Sequence, residues 1–399
     1  MAPEEKPYRV YKGGRTKGKV PAPAGGSPAR ARRGAAGDKS GRYRGPGAVR
    51  SGPGGRFAFL RRVSWRRWVP IALGSLVALF LLWGIVSYIT MSSGVSDANK
   101  RLPADARSAL THQNGLLVSH ATTILVLGTD NAPIAARAGD QHSDSILLVR
   151  TDPAHHRISY LSIPRDLQVP IVGVGTTKIN AAMQAGGPKL AISTVHAFTG
   201  IPVNHVIVVN FADFKGLIDA LGGITVDVPD AVLSNRFDCP YATAARCQAW
   251  PGWRFHKGPQ HMNGQRALIY SRIRENLLNP RESSDFFRTS RQQAVTQAVL
   301  SKFTSIGTLA SLPFDGGSLV KPIATDLSTW QLIELGWVKF RSSSGSALHC
   351  RLGGDFGPGG NGAPSEDNLP TIAAFLGKSA PQLPTSTFGP GCAVGHDLS

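Results

Sequence analysis

The sequence predicts an α/β domain, a mixed β-sheet flanked by helices, carried on a single N-terminal transmembrane helix. Short apolar runs alternate with amphipathic stretches between residues 122 and 228, the pattern of strands and helices layered about one sheet. One charge-free run, Trp68 to about Met91, is long enough to cross a bilayer as a helix. Residues 1–67 hold 18 of the 44 Lys and Arg and 3 of the 25 Asp and Glu, so most of the net charge of +19 lies ahead of that run.

The tail, residues 1–67, is rich in Gly, Pro, Ala and Arg and has no apolar periodicity, so it cannot bury enough surface to offset its ordering entropy and is expected to be disordered. Arg61, Arg62, Arg66 and Arg67 abut the apolar run, which places the tail in the cytoplasm and the remainder outside. The run exceeds the apolar part of a cleaved secretory signal and begins too far into the chain for one. Such a tail suits contact with an anionic inner leaflet; it lacks the interleaved aromatics of a nucleic-acid segment, and no nucleic acid is expected as a partner. The expected order is tail 1–67, transmembrane helix 68–91, stalk 92–120, extracytoplasmic domain 121–340, and an irregular disulfide-tied segment 341–399.

Within the domain, Thr122–Gly128 reads as a buried strand with Asp130 just beyond its carboxyl end. Asp144–Val149 and Arg157–Ile163 read as a hairpin turned at Asp152-Pro153, whose register sets Asp144 opposite Arg165. If the first strand runs parallel to the third, Asp130, Asp144, Arg165 and Asp166 share one sheet edge, where two carboxylates could hold a divalent cation against phosphate oxygens. The plain alternative for each Asp is turn or cap chemistry. A helix starting at Gly186-Gly187-Pro188, a strand Asn204–Asn210, a helix Phe211–Leu221 stopped by Gly222-Gly223 and a strand Ile224–Val228 follow. Residues 230–260 read as an inserted loop, and further helices are expected between Phe303 and Phe340.

The stretch Ser271–Gln293 concentrates cations. Alternation from Leu268 to Arg274 predicts a strand with Arg272 and Arg274 on one face. Ser283, Ser284 and Asp285 are natural caps for a helix reaching about Phe303, whose inward stripe, Val295, Val299 and Phe303, extends back through Gln292 to Arg288. A guanidinium on a buried face needs an anion, either a bound phosphate or a carboxylate network within the core. Cys239 and Cys247 lie close in one loop and Cys350 and Cys392 bracket the C-terminal segment, matching no zinc or redox spacing. Two disulfides are expected, paired sequentially, with the other two pairings formally open.

Taken together, Leu-Gly-Thr-Asp130, Ser-Asp144-Ser-Ile-Leu-Leu-Val, Ser-Ile-Pro-Arg165-Asp166, Lys178-Ile-Asn180, Asp219-Ala-Leu-Gly-Gly, Arg272-Ile-Arg274 and Asp285-Phe-Phe-Arg288…Gln292 resemble the LytR-CpsA-Psr family, from about Thr122 to Phe303. The resemblance implies a phosphotransferase that moves a glycopolymer from a polyprenyl-pyrophosphate carrier lying in an apolar tunnel onto a peptidoglycan hydroxyl, as a phosphodiester, at the outer face of the cell membrane. By motif position Asp130 and Asp144 would carry Mg2+, and Arg165, Arg272, Arg274, Arg288 and Gln292 would hold the pyrophosphate. Arg165, Asp285 and Arg288 would serve the chemistry, Asp285 by supporting the arginines or activating the acceptor hydroxyl. His142 stands where the family often has Arg, which would make one pyrophosphate contact pH-dependent. The competing functions are a non-catalytic binder of the carrier lipid or an anionic polymer, and a membrane-tethered transcriptional attenuator, for which the tail offers no helix-turn-helix pattern.

Overall fold

The computed structural model describes residues 65–129, 143–280, 285–356, 362–386 and 389–395. The tail up to residue 64 lies outside them, as do Asp130, His142, Ser283 and Ser284. Helix α1 spans Trp65–Arg101, and its apolar stretch from Trp68 to Leu82 is exposed on all sides. The segment expected as a stalk is built into the domain instead. Its first ten residues continue α1, Leu102 and Ala106 enter the main core, the Thr111 N–H donates to Val203 O at 2.7 Å, and the Leu117 N–H donates to Glu334 Oε2 at 3.1 Å.

Strands β1 (Thr122–Thr129), β2 (Ser143–Asp152) and β3 (Arg157–Ser162) form an antiparallel meander. The β2–β3 register runs from Leu147 opposite Ser162 to Asp152 opposite Arg157, as the turn at Asp152-Pro153 dictates, and the Ile163 N–H extends it to Ile146 O at 2.9 Å. The hairpin β4 (Gln168–Ile171) and β5 (Gly175–Lys178) leads into helix α2 (Ala181–Thr199). That helix is broken at Gly186 and Gly187, the latter at φ 61, a conformation a side chain would strain; Pro188 then starts its longer half. Strand β6 (His205–Asn210) pairs parallel with β1, and helix α3 (Phe211–Ala220), capped by the Asn210 side chain, returns to β7 (Ile224–Val228).

The inserted loop contains β8 (Val232–Leu233), the short helix α4 (Ala244–Ala249) and β9 (Arg254–Phe255), with Cys239 bonded to Cys247; β10 (Gly258–Met262) then pairs antiparallel with β7. Helices α5 (Gly264–Arg272), α6 (Asp285–Phe303) and α7 (Ile306–Val320) follow, then β11 (Ala324–Thr325) and α8 (Thr329–Arg341).

The described residues of the segment 341–399 are not an irregular appendage. Strands β12 (Leu348–Arg351) and β15 (Gly391–Val394) complete the main sheet, in the order β11-β6-β1-β2-β3-β12-β15, with the hairpin β13 (Gly354–Phe356) and β14 (Gly362–Pro364) and helix α9 (Asn368–Phe375) between them. Cys350 and Cys392 are register partners on β12 and β15 and are bonded to each other. These strands are too brief to show period-two alternation. Both sequential disulfides are present.

Side chains alternate across the central strands, so Leu125, Leu127, Leu148 and Leu161 face a core with α2 and α9, while Val126, Leu147, Val149 and Tyr160 face Leu300 of α6. Helix α6 is fixed to the sheet by a polar contact as well: Gln293 Nε2 donates to Ser162 Oγ at 2.7 Å and to Cys350 O at 2.9 Å, and its Oε1 meets His349 Nδ1 at 3.2 Å. That buried amide is satisfied on both atoms, which locks the helix in one rotation over β3 and β12.

Candidate active site

Where one end of strands β1–β3 meets α3, α5 and α6, the protein forms a cavity of about 470 Å3. Arg165, Arg272, Arg274, Arg288, Gln292 and Asp144 all line it, and so do the apolar side chains of Val126, Val209, Phe211, Phe214, Leu268 and Val295. Of the charged side chains lining it among the described residues, four are guanidinium groups and one is a carboxylate. An anion joined to an apolar chain is the ligand such a surface favours.

The sheet wall follows from the hairpin. Continuing its register beyond Ile163 brings Arg165 to Asp144, and Arg165 Nη1 is paired with Asp144 Oδ1. Asp166 Oδ2 accepts from Arg165 Nε at 3.4 Å, and its other oxygen accepts from Lys178 Nζ at 2.8 Å, which ties β5 to the same cluster. Strand β1 runs parallel in direction to β3, and Thr129 pairs with Ser143, the residue before Asp144. Asp130 follows Thr129 in the chain but is outside the described residues.

The helical wall departs from the sequence expectation. Residues 264–272 are helix, not strand, so Arg272 and Arg274 do not share a strand face; Arg272 closes α5, and Arg274 lies past an extended Ile273. Both reach the cavity because the chain changes direction between them. The run Ala267-Leu268-Ile269-Tyr270 is buried on every side, which removes the periodicity that separates helix from strand. The deciding signal was Asn263, whose side chain accepts from the Arg266 N–H as an N-cap. Gly264 packs against the α3 backbone, where a Cβ would collide with Lys215 O, and its N–H donates to Asp219 Oδ1 at 2.8 Å. Arg291, buried on α6, donates from Nη1 to Ile273 O at 3.1 Å and holds the end of α5 in place.

Helix α6 matches its predicted span, with Val295 and Val299 buried in the adjoining core, Phe303 packed against it and Arg288 6% exposed at its cavity end. Asp285 is the first residue of α6, one turn ahead of Arg288. Arg272 is paired with Asp238 Oδ2 and lies over the rings of Phe211 and Phe237, 5.0 and 5.7 Å from their centroids. Asn235, Phe237 and Asp238 come from the inserted loop, and sequence reasoning gave them no part in the site. The one available signal was position: Asp238 directly precedes Cys239, whose disulfide fixes the loop.

Residues 85–345 match the LytR_cpsA_psr family. The chain is similar to the polyisoprenyl-teichoic acid–peptidoglycan teichoic acid transferase TagU of Bacillus mycoides, 30% identical over 270 residues that make up 67% of this chain and 81% of that one. Among solved structures it is similar to Bacillus subtilis TagV, with 27% identity and a TM-score of 0.50 over 65% of this chain and 99% of that one. It is also similar to TagT bound to LI-WTA, with 25% identity and a TM-score of 0.50 over 66% and 94%. The mixed sheet, the order of the motifs and the match across most of the domain agree: this chain belongs to the LytR-CpsA-Psr family.

Proposed function

We propose that this protein is a membrane-anchored transferase that moves a glycopolymer from a polyprenyl-pyrophosphate carrier to a peptidoglycan hydroxyl. The observation that carries the reading is the cavity, which joins four arginines and Gln292 to an apolar lining. A pyrophosphate carries its charge next to a hydrocarbon chain, and the two kinds of surface match its two ends. The relative from Bacillus mycoides is named for the same class of transfer.

In this reading the acceptor oxygen attacks the phosphorus bearing the glycopolymer. The bridging P–O bond breaks, polyprenyl monophosphate departs, and the hydroxyl proton passes to a base, a role Asp285 would fill. Arg165, Arg272, Arg274 and Arg288 stabilise the charge that gathers on the leaving phosphate, and Gln292 donates a neutral hydrogen bond beside them. The arginines clustered before Trp68 orient the anchor, with its N-terminus in the cytoplasm and the cavity outside.

Asp144 faces the cavity, and Mg2+ typically takes one or two protein carboxylates and completes its shell with phosphate and water. Asp144 is thus a donor of the kind Mg2+ takes, and with Asp130 of the neighbouring motif it would hold the ion, which would neutralise pyrophosphate oxygens. The test is transfer from a purified polyprenyl-pyrophosphate glycopolymer to peptidoglycan by the full-length protein in detergent. Arg288→Ala is expected to lower turnover by about 100-fold or more, the loss seen when one preorganised donor is removed, with the circular dichroism spectrum retained. Full activity in that variant would overturn the assignment, and donor binding without turnover in the native protein would favour a carrier-binding role.

A further inference from the structure

Helix α7 has no charged residue from Ile306 to Phe314, and the domain covers little of this stretch: Ile306 and Phe314 are 86% and 85% exposed, and Leu309 is exposed too. The helix lies lengthwise against the outward part of α1. Trp83 Nε1 donates to Ala310 O at 3.5 Å, Thr90 Oγ1 donates to Leu312 O at 2.9 Å, and Val95 and Ala98 pack with Val320. The two helices therefore run in the same direction, and the first turn of α7 is its end nearest the bilayer.

Just outward of the membrane boundary the two helices meet backbone to backbone. A Cβ on Gly94 would collide with the carbonyl of Gly317, and one on Gly317 would come within 2.9 Å of Thr90 O. Glycine at the crossing lets the backbones approach, and the Thr90 hydrogen bond fixes the register of α7 along α1. Pro313, inside α7, removes an N–H from the helix ladder, a defect that neighbouring side chains make tolerable at membrane depth.

Depth follows from α1. A helix entering hydrocarbon at Trp68 leaves it after about 20 residues, near Ser87. Trp83 lies one turn inside that boundary, and Ala310 is at its level. Ile306, another turn along, then falls roughly 10 Å beneath the boundary. Asp315, the first charge after this stretch, is reached only beside Gly316, which packs on Thr90 and Met91.

We propose that α7 is a second membrane-contacting element, its half from Ile306 to Phe314 seated in the leaflet on the domain's side, with Ile306 and Leu309 among acyl chains and Phe314 at headgroup level. The inference rests on α1 crossing the membrane and is independent of the reaction proposed above. It means that the domain is held at a fixed height and rotation over the bilayer rather than swinging on a single helix.

The test uses the full chain in phosphatidylcholine–phosphatidylglycerol nanodiscs, with nitroxide labels at Ile306→Cys, Phe314→Cys and Ser318→Cys. All four native cysteines are paired, so the introduced thiol takes the label. Oxygen and nickel-chelate accessibility should place the label at residue 306 about 5–10 Å beneath the headgroup boundary, the one at 314 at the boundary and the one at 318 in water. Equal nickel accessibility at 306 and 318 would overturn the proposal. The substituted side chains are exposed or on the outer face, so loss of folding is not expected to obscure the result.

Discussion

The two walls of the cavity are built on different principles. The sheet wall is local: Asp144, Arg165, Asp166 and Lys178 lie within a short stretch of chain and are tied to one another, and the β2–β3 register sets Asp144 beside Arg165. The helical wall is assembled from far apart: Arg272 leans on Asp238 and Phe237 of the insertion, and Arg291 fastens the end of α5 to α6. Each wall also has its own disulfide nearby. Cys350–Cys392 joins β12, the strand beside β3, to the edge strand β15, and Cys239–Cys247 closes the loop that carries Asp238. A wall fixed by register is readable residue by residue, whereas a wall fixed by contact depends on the whole fold.

The largest effect is expected from removing the sheet-side disulfide. Cys350 and Cys392 are buried, and their bond closes a loop with a sequence separation of 42. Loop-closure entropy for that length corresponds to about 3–4 kcal/mol, so Cys350→Ser with Cys392→Ser should lower the denaturation midpoint sharply. The matching pair at Cys239 and Cys247 spans a separation of 8, worth about 2.5 kcal/mol by the same relation, in a largely exposed loop, and should change the midpoint less. Chemical denaturation of the two variants side by side checks the contrast, and equal losses would show that the insertion is part of the cooperative core.

The same division explains what was legible. The hairpin needed only a turn dipeptide and a period of two, so the meeting of Asp144 with Arg165 could be read from residue numbers. The stripe Arg288, Gln292, Val295 and Val299 was readable because α6 is long enough to show the 3.6-residue period. Leu268–Tyr270 was not, since full burial erases the difference between a strand and a short helix. Gln293 was missed because its neighbour Gln292 satisfied the pattern, and only the sheet packed on the other side of α6 gives Gln293 its partners. Strands β12 and β15 were missed because each has four residues and is recruited by an edge already formed.

An intermediate effect should come from Asp144→Asn. The substitution keeps the shape and one acceptor oxygen toward Arg165 but removes the charge. If Asp144 serves only to hold Arg165, kcat/KM falls and the Mg2+ dependence stays the same. If it also carries Mg2+, the midpoint of Mg2+ activation moves to higher concentration, with a loss of about 10- to 100-fold at limiting metal. We expect the second outcome; a titration with unchanged midpoint would remove Asp144 from the metal site.

The smallest effect, and the one that most sharpens the contrast, is expected from Asp238→Asn. Asp238 has φ 47, a left-handed conformation that Asn also tolerates, so the loop backbone should survive the change. The ion pair with Arg272 is partly exposed on both sides and is worth less than about 1 kcal/mol to stability. Phe211 and Phe237 still hold the guanidinium from its faces. With the carboxylate gone, Arg272 keeps its place and offers its full charge to an incoming anion, so the KM for the lipid donor should fall by about two- to threefold, a gain well under 1 kcal/mol, with kcat unchanged. A rise in KM would mean that the insertion positions Arg272 rather than competing for it, and that the helical wall depends on Asp238 as the sheet wall depends on Asp144.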